Sequence, residues 1–274
     1  MRQNEVFPSY RKDIEEMNRL YAYLKSNFED NYVSELCNIR GYVSDENYPS
    51  SQEKLIREMQ LGYCEIEDLE ELRTFPESFG LITKKENFLL NGRFLIPVYD
   101  ISGALISLIG YYPDTRKYIT LATNFFSKEV MYLNFRQAYE LSWSEYDGLV
   151  ILVEGVFDCL SLRSIGLPAI ATMGSTVSKT KGELLKLFKK VLAIPDDDVT
   201  GRKALNRYSK YGWQVPDNTT FIKFKGGYQE FNGNRLHCKD IDNLVSWYEA
   251  NDVRELLLSF RDSREDIEEL NLTT

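Results

Sequence analysis

The sequence predicts an α/β protein: an α+β N-terminal part followed by a small parallel sheet with helices on its faces. Three observations predict it. Four short apolar segments, "LVILV" (149–153), "PAIAT" (168–172), "VLAI" (191–194) and "TTFIKF" (219–224), alternate with stretches that read as helices. This β-α-β-α-β-α-β order is that of parallel strands joined by crossover helices. "LVILV" in particular is continuously apolar and rich in branched side chains, as a strand covered on both faces must be. Upstream of about residue 148 the texture differs, with helix first and then a hairpin.

Taken in order, residues 9–40 read as helix, because Ile14, Met17, Leu20, Leu24 and Phe28 recur at spacings of three and four. "SDENYPSSQEK" (44–54) reads as a loop that caps a helix over "SQEKLIREM" (51–59), and "IEDLEELRTF" (66–75) as a further short helical piece. "FLIPVYDISGALISLIGYY" (94–112) holds two strands around the turn "DISG". "KYITLA" (117–122) and "EVMYLN" (129–134) read as extended chain. Helices are expected over "FDCLSLRSIG" (157–166), "KGELLKLFKK" (181–190) and "GRKALNRYSKYG" (201–212). The expected division is residues 1–147, 148–250, and an acidic C-terminal helix or tail over 251–274.

Composition removes several function classes. The chain's 274 residues are 43% hydrophobic, enough for a real core, yet no apolar run approaches the roughly 20 residues of a membrane helix. The N-terminus has no apolar signal-peptide region, so the expected location is the cytoplasm. Cys37, Cys64, Cys159 and Cys238 stand far apart and His237 is the only histidine, so no structural zinc is expected. One histidine also disfavours Ser-His-Asp or Cys-His catalysis. The net charge of −9 argues weakly against nucleic acid, but "KTKGELLKLFKK" (179–190) carries five lysines against one glutamate. That run reads equally well as a solvated helix face.

In a parallel sheet, ligands gather at the carboxyl ends of the strands. Two acidic clusters fall there: Glu154 after "LVILV", and Asp196, Asp197 and Asp198 after "VLAI". "MGSTVSKT" (173–180) lacks the glycines that let a P-loop wrap phosphates. "DDDVT" (196–200) fits a phosphatase-like Asp-x-Asp-x-Thr pattern, which leaves "EGVFD" (154–158) without a role. Taken together, Glu154, Asp196 and Asp198 can converge over neighbouring strand ends. Mg²⁺ takes one or two carboxylates with water and phosphates, and paired metals clamp both oxygens of a phosphoryl transfer.

At this point the sequence resembles a family. Glu-Gly-x-x-Asp (Glu154, Gly155, Asp158) followed by Asp-x-Asp-x-x-Gly (Asp196, Asp198, Gly201) resembles the Toprim domain of primases, topoisomerases and some nucleases. Gly174 in "TMGST" matches the glycine of the intervening loop, and "KDIDNL" (239–244), with Asp240 and Asp242, resembles a segment of bacterial DnaG-type primases. Upstream, "MQLGYC" (59–64), "ESFGLI" (77–82), "NGRFLIPVYDISGALISLIGY" (91–111) and "KYITLA" are similar to the same primases. These matches carry over Arg93 and Lys117, with Lys128 in "FFSKEVMYL" matched across a gap. The resemblance covers roughly residues 30–245.

It implies a Toprim-type sheet subdomain and a nucleotidyltransferase that makes primers on single-stranded DNA from NTPs. In that scheme Glu154, Asp196 and Asp198 are catalytic and hold Mg²⁺ or Mn²⁺ with Asp240 and Asp242, while Asp158, Gly155, Gly174 and Gly201 support them. Arg93, Lys117 and Lys128 meet template or triphosphate. The family's zinc-binding and helicase-binding domains have no counterpart here, so a separate zinc-domain protein or a replicative helicase is an expected partner, and no membrane. Asp197 departs from the family's glycine and is expected to face solvent, and Val156 replaces a usual tyrosine. The alternatives are a Toprim-type Mg²⁺-dependent nuclease and an inactive Toprim module that binds nucleic acid or a partner.

Overall fold

The structure, a computed structural model, describes residues 6–28, 59–113, 115, 117–121, 127, 130–205, 213–226, 228–231, 234–238 and 240–272. The described residues divide into two compact units, the first ending at residue 121 and the second beginning at residue 127.

In the first unit, α1 (Val6–Ser26) precedes a four-stranded antiparallel sheet of β1 (Gly62–Cys64), β2 (Arg93–Tyr99), β3 (Leu105–Tyr112) and β4 (Lys117–Thr120), in that order. Met17, Leu20 and Leu24, all wholly buried, form the helix stripe that the spacing predicts. They share a core with Leu95, Leu105 and Leu108 of the sheet. The "DISG" turn is as expected: Asp100 Oδ1 accepts from the Ser102 and Ala104 backbone N–H groups at 2.8 and 3.0 Å. Two expectations fail. The helix expected over 9–40 ends at Ser26, and the piece expected over 66–75 reduces to a 3-10 turn at Leu72–Thr74. Ile66, Leu69, Leu72 and Phe75 of that segment still pack into the core; their strict spacing of three matches the period of a 3-10 turn rather than that of an α-helix. The loop and helix read over 44–58, and Lys128, lie outside the described residues.

The second unit opens with α2 (Phe135–Glu145), which places the observed division before the expected boundary at 147/148. The alternation follows: β5 (Leu149–Val153), α3 (Val156–Ser164), β6 (Ala169–Ala171), α4 (Lys179–Leu185), β7 (Lys190–Ile194), α5 (Val199–Ala204) and β8 (Thr219–Gly226). A hairpin of β9 (Tyr228–Phe231) and β10 (Asn234–His237) leads to α6 (Ile241–Trp247), α7 (Ala250–Ser259) and β11 (Ile267–Leu272). The segment read as a helix or tail thus ends in a strand. Acidic residues of "DIEEL" are tolerated because β11 is an edge strand, and charge on an edge discourages further pairing.

The five strands are all parallel, in the order β11-β8-β7-β5-β6. Alternate residues feed opposite faces. Val150, Leu152, Val191, Ala193 and Phe221 join one core with Phe135, Leu185 and Trp213. Ile151, Val153, Leu192 and Ile194 are as deeply buried on the other face. Burial on both sides explains the unbroken apolar runs.

Candidate metal centre

The connection from β5 runs to β6 on one side, whereas β7 continues to β8 on the other. The carboxyl ends of β5 and β7 therefore flank the point where the strand order reverses, the ligand position of open parallel sheets. Val153 pairs with Ile194, so Glu154 and Asp196 leave the sheet at nearly the same height.

Glu154 is half-buried, and its Oε1 has no hydrogen-bond partner among the described residues. Burial, with repulsion from Asp198 and Asp158, pushes its carboxyl up to about 7, although the Asp196 backbone N–H opposes this as a donor. An ionised carboxylate in this position is under-compensated, the condition that a cation relieves. Among the described residues, no three Asp, Glu, Cys or His side chains form a ready-made metal cluster. The unpartnered Glu154 oxygen, with Asp196 and Asp198 following the neighbouring strand, is of the hard-oxygen donor type that Mg²⁺ takes together with water and phosphates.

The "EGVFD" spacing has a local cause. Asp158 lies in the first turn of α3, and its Oδ2 accepts from the Gly155 N–H at 3.1 Å. A Cβ on Gly155 would stand 2.3 Å from that oxygen, so any larger residue would push the Asp158 carboxylate out of this bond. Asp158 Oδ1 accepts from the Asp242 N–H at 3.0 Å. One buried carboxylate therefore ties the β5–α3 turn to the start of α6. Burial, then the Asp196 and Asp240 charges, raise its carboxyl to about 8 despite these donors.

Asp240 and Asp242 are also engaged at α6. The Asp240 side chain caps the helix, accepting from the Asn243 N–H at 2.8 Å. Asp242 Oδ1 accepts from Ser161 Oγ at 2.7 Å. Ser161 is a further member of this network; its signal in the sequence is its place three residues after Asp158, on the same helix face.

In "DDDVTG", the Asp198 N–H donates to Asp196 O at 2.9 Å, and Asp198 Oδ1 accepts from the Gly201 N–H at 2.8 Å. Asp198 thus caps α5 as well as facing Glu154 electrostatically. A Cβ on Gly201 would lie 1.8 Å from Asp196 O, which accounts for the glycine. Gly174 differs, with open space at its Cβ position. Asp197, expected to face water, is half-buried, whereas Asp198 is exposed. The tight turn back onto Asp196 O rotates the two side chains away from simple strand alternation.

Arg93 and Lys117 belong to the first unit. The Arg93 guanidinium stands 5.5 Å from the Tyr112 ring centroid, and its Nε and Nη1 are buried with no hydrogen-bond partner among the described residues. Tyr112 pairs in register with Lys117, which is exposed. The sheet therefore gathers two bases about one tyrosine.

A family profile described as Toprim-like matches residues 151–223. Over 270 residues the chain is 26% identical to a DNA primase of Clostridium acetobutylicum, covering 86% of this chain and 43% of that protein. The Aquifex aeolicus primase structure with zinc-binding and RNA polymerase domains superposes with a TM-score of 0.69 at 24% identity, covering 90% of this chain and 60% of that one. A DnaG primase catalytic domain bound to ssDNA gives 0.67 at 18% identity, covering 91% and 81%. The chain spans less than half the length of the curated relatives it matches. The chain is thus similar to DNA primases, and its fold is that of DnaG catalytic cores.

Proposed function

We propose that this chain is the catalytic core of a DnaG-type primase, a nucleotidyltransferase that makes short primers on single-stranded DNA. The observation that carries the reading is Glu154 at the reversal point of the sheet, its buried Oε1 without a hydrogen-bond partner among the described residues and Asp196 and Asp198 following the neighbouring strand. Mg²⁺ or Mn²⁺ held there by Glu154, Asp196 and Asp198 would supply Lewis-acid stabilisation to phosphate oxygens and activate a 3′-hydroxyl.

The chain's own residues do the rest. The Asp158 clamp and the Asp198 cap hold the strand-end carboxylates in place against their mutual repulsion. Asp240 and Asp242, engaged at the α6 terminus, keep negative charge close by and stand as outer members of the acidic group. Arg93, desolvated and short of acceptors, and Lys117 are suited to phosphate oxygens of template or NTP, with Lys128 grouped with them. A separate zinc-domain protein or a replicative helicase fits as a partner. Among the described residues no helix is long and apolar enough to cross a membrane.

The test is incubation with single-stranded template, labelled NTPs and Mg²⁺ or Mn²⁺. Oligonucleotides that form with the parent and vanish with Asp196→Ala support the proposal. Template degradation without new oligomers replaces it with the nuclease reading.

A further inference from the structure

We infer that Lys181 is a positioning residue for Glu154, acting through the β6–α4 loop; this rests on the reading of Glu154 as a metal ligand. In sequence Lys181 belongs to a basic run suited to a solvated face. In the structure it is 1% exposed. Burying an ammonium is costly unless specific partners replace its water.

Those partners are well defined. Lys181 Nζ donates to Thr172 O at 2.6 Å and stands 4.9 Å from the centroid of the buried Tyr132 ring. Thr172 and Met173 in turn hold the backbone of Glu154. The Met173 N–H donates to Glu154 O at 3.1 Å and the Thr172 N–H to Val153 O at 3.0 Å, while the Thr172 hydroxyl is shared between Gly174 O and Glu154 O, the latter at 3.3 Å. Met173 has a φ of 57°, a left-handed conformation that a non-glycine residue seldom adopts and that persists only when its surroundings impose it. The far side of the loop is fixed separately: Trp213 Nε1 donates to Ser175 O at 3.3 Å and the Gln214 N–H to Val177 O at 3.1 Å.

Lys181, together with the Thr172 hydroxyl, therefore anchors the near end of the loop, where the loop meets Glu154. Losing its donor frees the Thr172–Met173 peptide to rotate. The Glu154 carbonyl then loses fixed donors, and its carboxylate loses a fixed direction toward Asp196 and Asp198. Partners of this outer kind typically change metal affinity by about 10–100-fold.

The experiment measures Mn²⁺ binding to the metal-free full chain by calorimetry, together with hydrogen exchange at the Met173 amide. The proteins are the parent, Lys181→Met, Lys181→Arg, Thr172→Val and Glu154→Gln. Lys181→Met should weaken Mn²⁺ binding roughly tenfold and speed Met173 exchange, leaving β5 and β7 amides protected. Lys181→Arg, which keeps a donor, should restore most of the affinity. Thr172→Val, which removes the hydroxyl's bonds to Glu154 and Gly174 but leaves the Thr172 carbonyl to Lys181, should weaken binding severalfold and decides the matter if Lys181→Met does not fold. Parent-like Mn²⁺ affinity in folded Lys181→Met, or in Thr172→Val, alongside a weakened Glu154→Gln overturns the Lys181 inference alone. Parent-like affinity in Glu154→Gln overturns the metal reading itself.

Discussion

Replacing Gly201 by alanine sets two physical effects against each other, and the structure says which should win. Gly201 lies within α5, where alanine should gain about 1 kcal/mol of helix propensity over glycine. Against this, its Cβ would stand 1.8 Å from Asp196 O, 2.8 Å from that carbonyl carbon and 3.0 Å from the Asp196 nitrogen. A comfortable carbon–oxygen approach is about 3.3 Å, so a gap of about 1.5 Å must open. No rotamer relieves it, because both sides are backbone. Overpacking of this kind costs about 1–3 kcal/mol. Separating the loop from α5 also strains the Gly201-to-Asp198 and Asp198-to-Asp196 hydrogen bonds, each contributing about 1 kcal/mol. The net expectation is a loss of about 2–3 kcal/mol, which in a unit of this size lowers Tm by about 4–12 °C. Calorimetric melting of the metal-free protein measures it. Because Asp196 and Asp198 move with the loop, Mn²⁺ affinity should fall as well. An unchanged or raised Tm, as propensity alone predicts, would refute the close packing and the explanation of the motif glycine.

Gly174→Ala is the matching control: with nothing near its Cβ position, its stability should stay within about 0.5 kcal/mol of the parent by urea unfolding. Glu154→Gln should raise the metal-free Tm near pH 8, by removing an under-compensated charge, and abolish both the Mg²⁺-dependent Tm increase and primer synthesis. The pH dependence follows from the raised carboxyls of Glu154 (about 7) and Asp158 (about 8). Below about pH 3 both groups are protonated whether folded or unfolded and cost nothing. As pH rises the unfolded chain ionises first, so metal-free stability should fall between about pH 4 and pH 8, by an amount on the order of a few kcal/mol. Mg²⁺, which favours the ionised forms, should flatten that slope, and urea midpoints with and without Mg²⁺ across this range measure it. Ser161→Ala removes the 2.7 Å bond to Asp242 and should cost about 1–2 kcal/mol, with faster amide exchange at the start of α6.

Much of the second unit was legible in the sequence because its signals are local. "LVILV" and "VLAI" are strands since only a two-sided burial accommodates unbroken branched residues, and the acidic residues directly after them had to fall at one sheet edge. The spacings Glu154-Gly155-x-x-Asp158 and Asp196-x-Asp198-x-x-Gly201 were equally readable, because each encodes a single turn in which a carboxylate reaches back to a backbone N–H. The long-range pairings were not. Nothing local announces that Asp158 reaches across to the Asp242 amide, that Ser161 bonds Asp242, or that "DIEEL" returns as an edge strand beside β8. Nor does a basic run reveal which lysine is buried. Lys181 differs from Lys179 and Lys186 only in facing Tyr132 and the carbonyl of Thr172. The sequence by itself determined the strand–helix alternation and the residue types at each strand end, since those follow from burial and turn sterics within a few residues. Only the tertiary structure decided which carboxylates face one another, which strand ends they share with α6, and which cation holds the loop between them. Those choices depend on desolvation and hydrogen bonds between groups far apart in the chain.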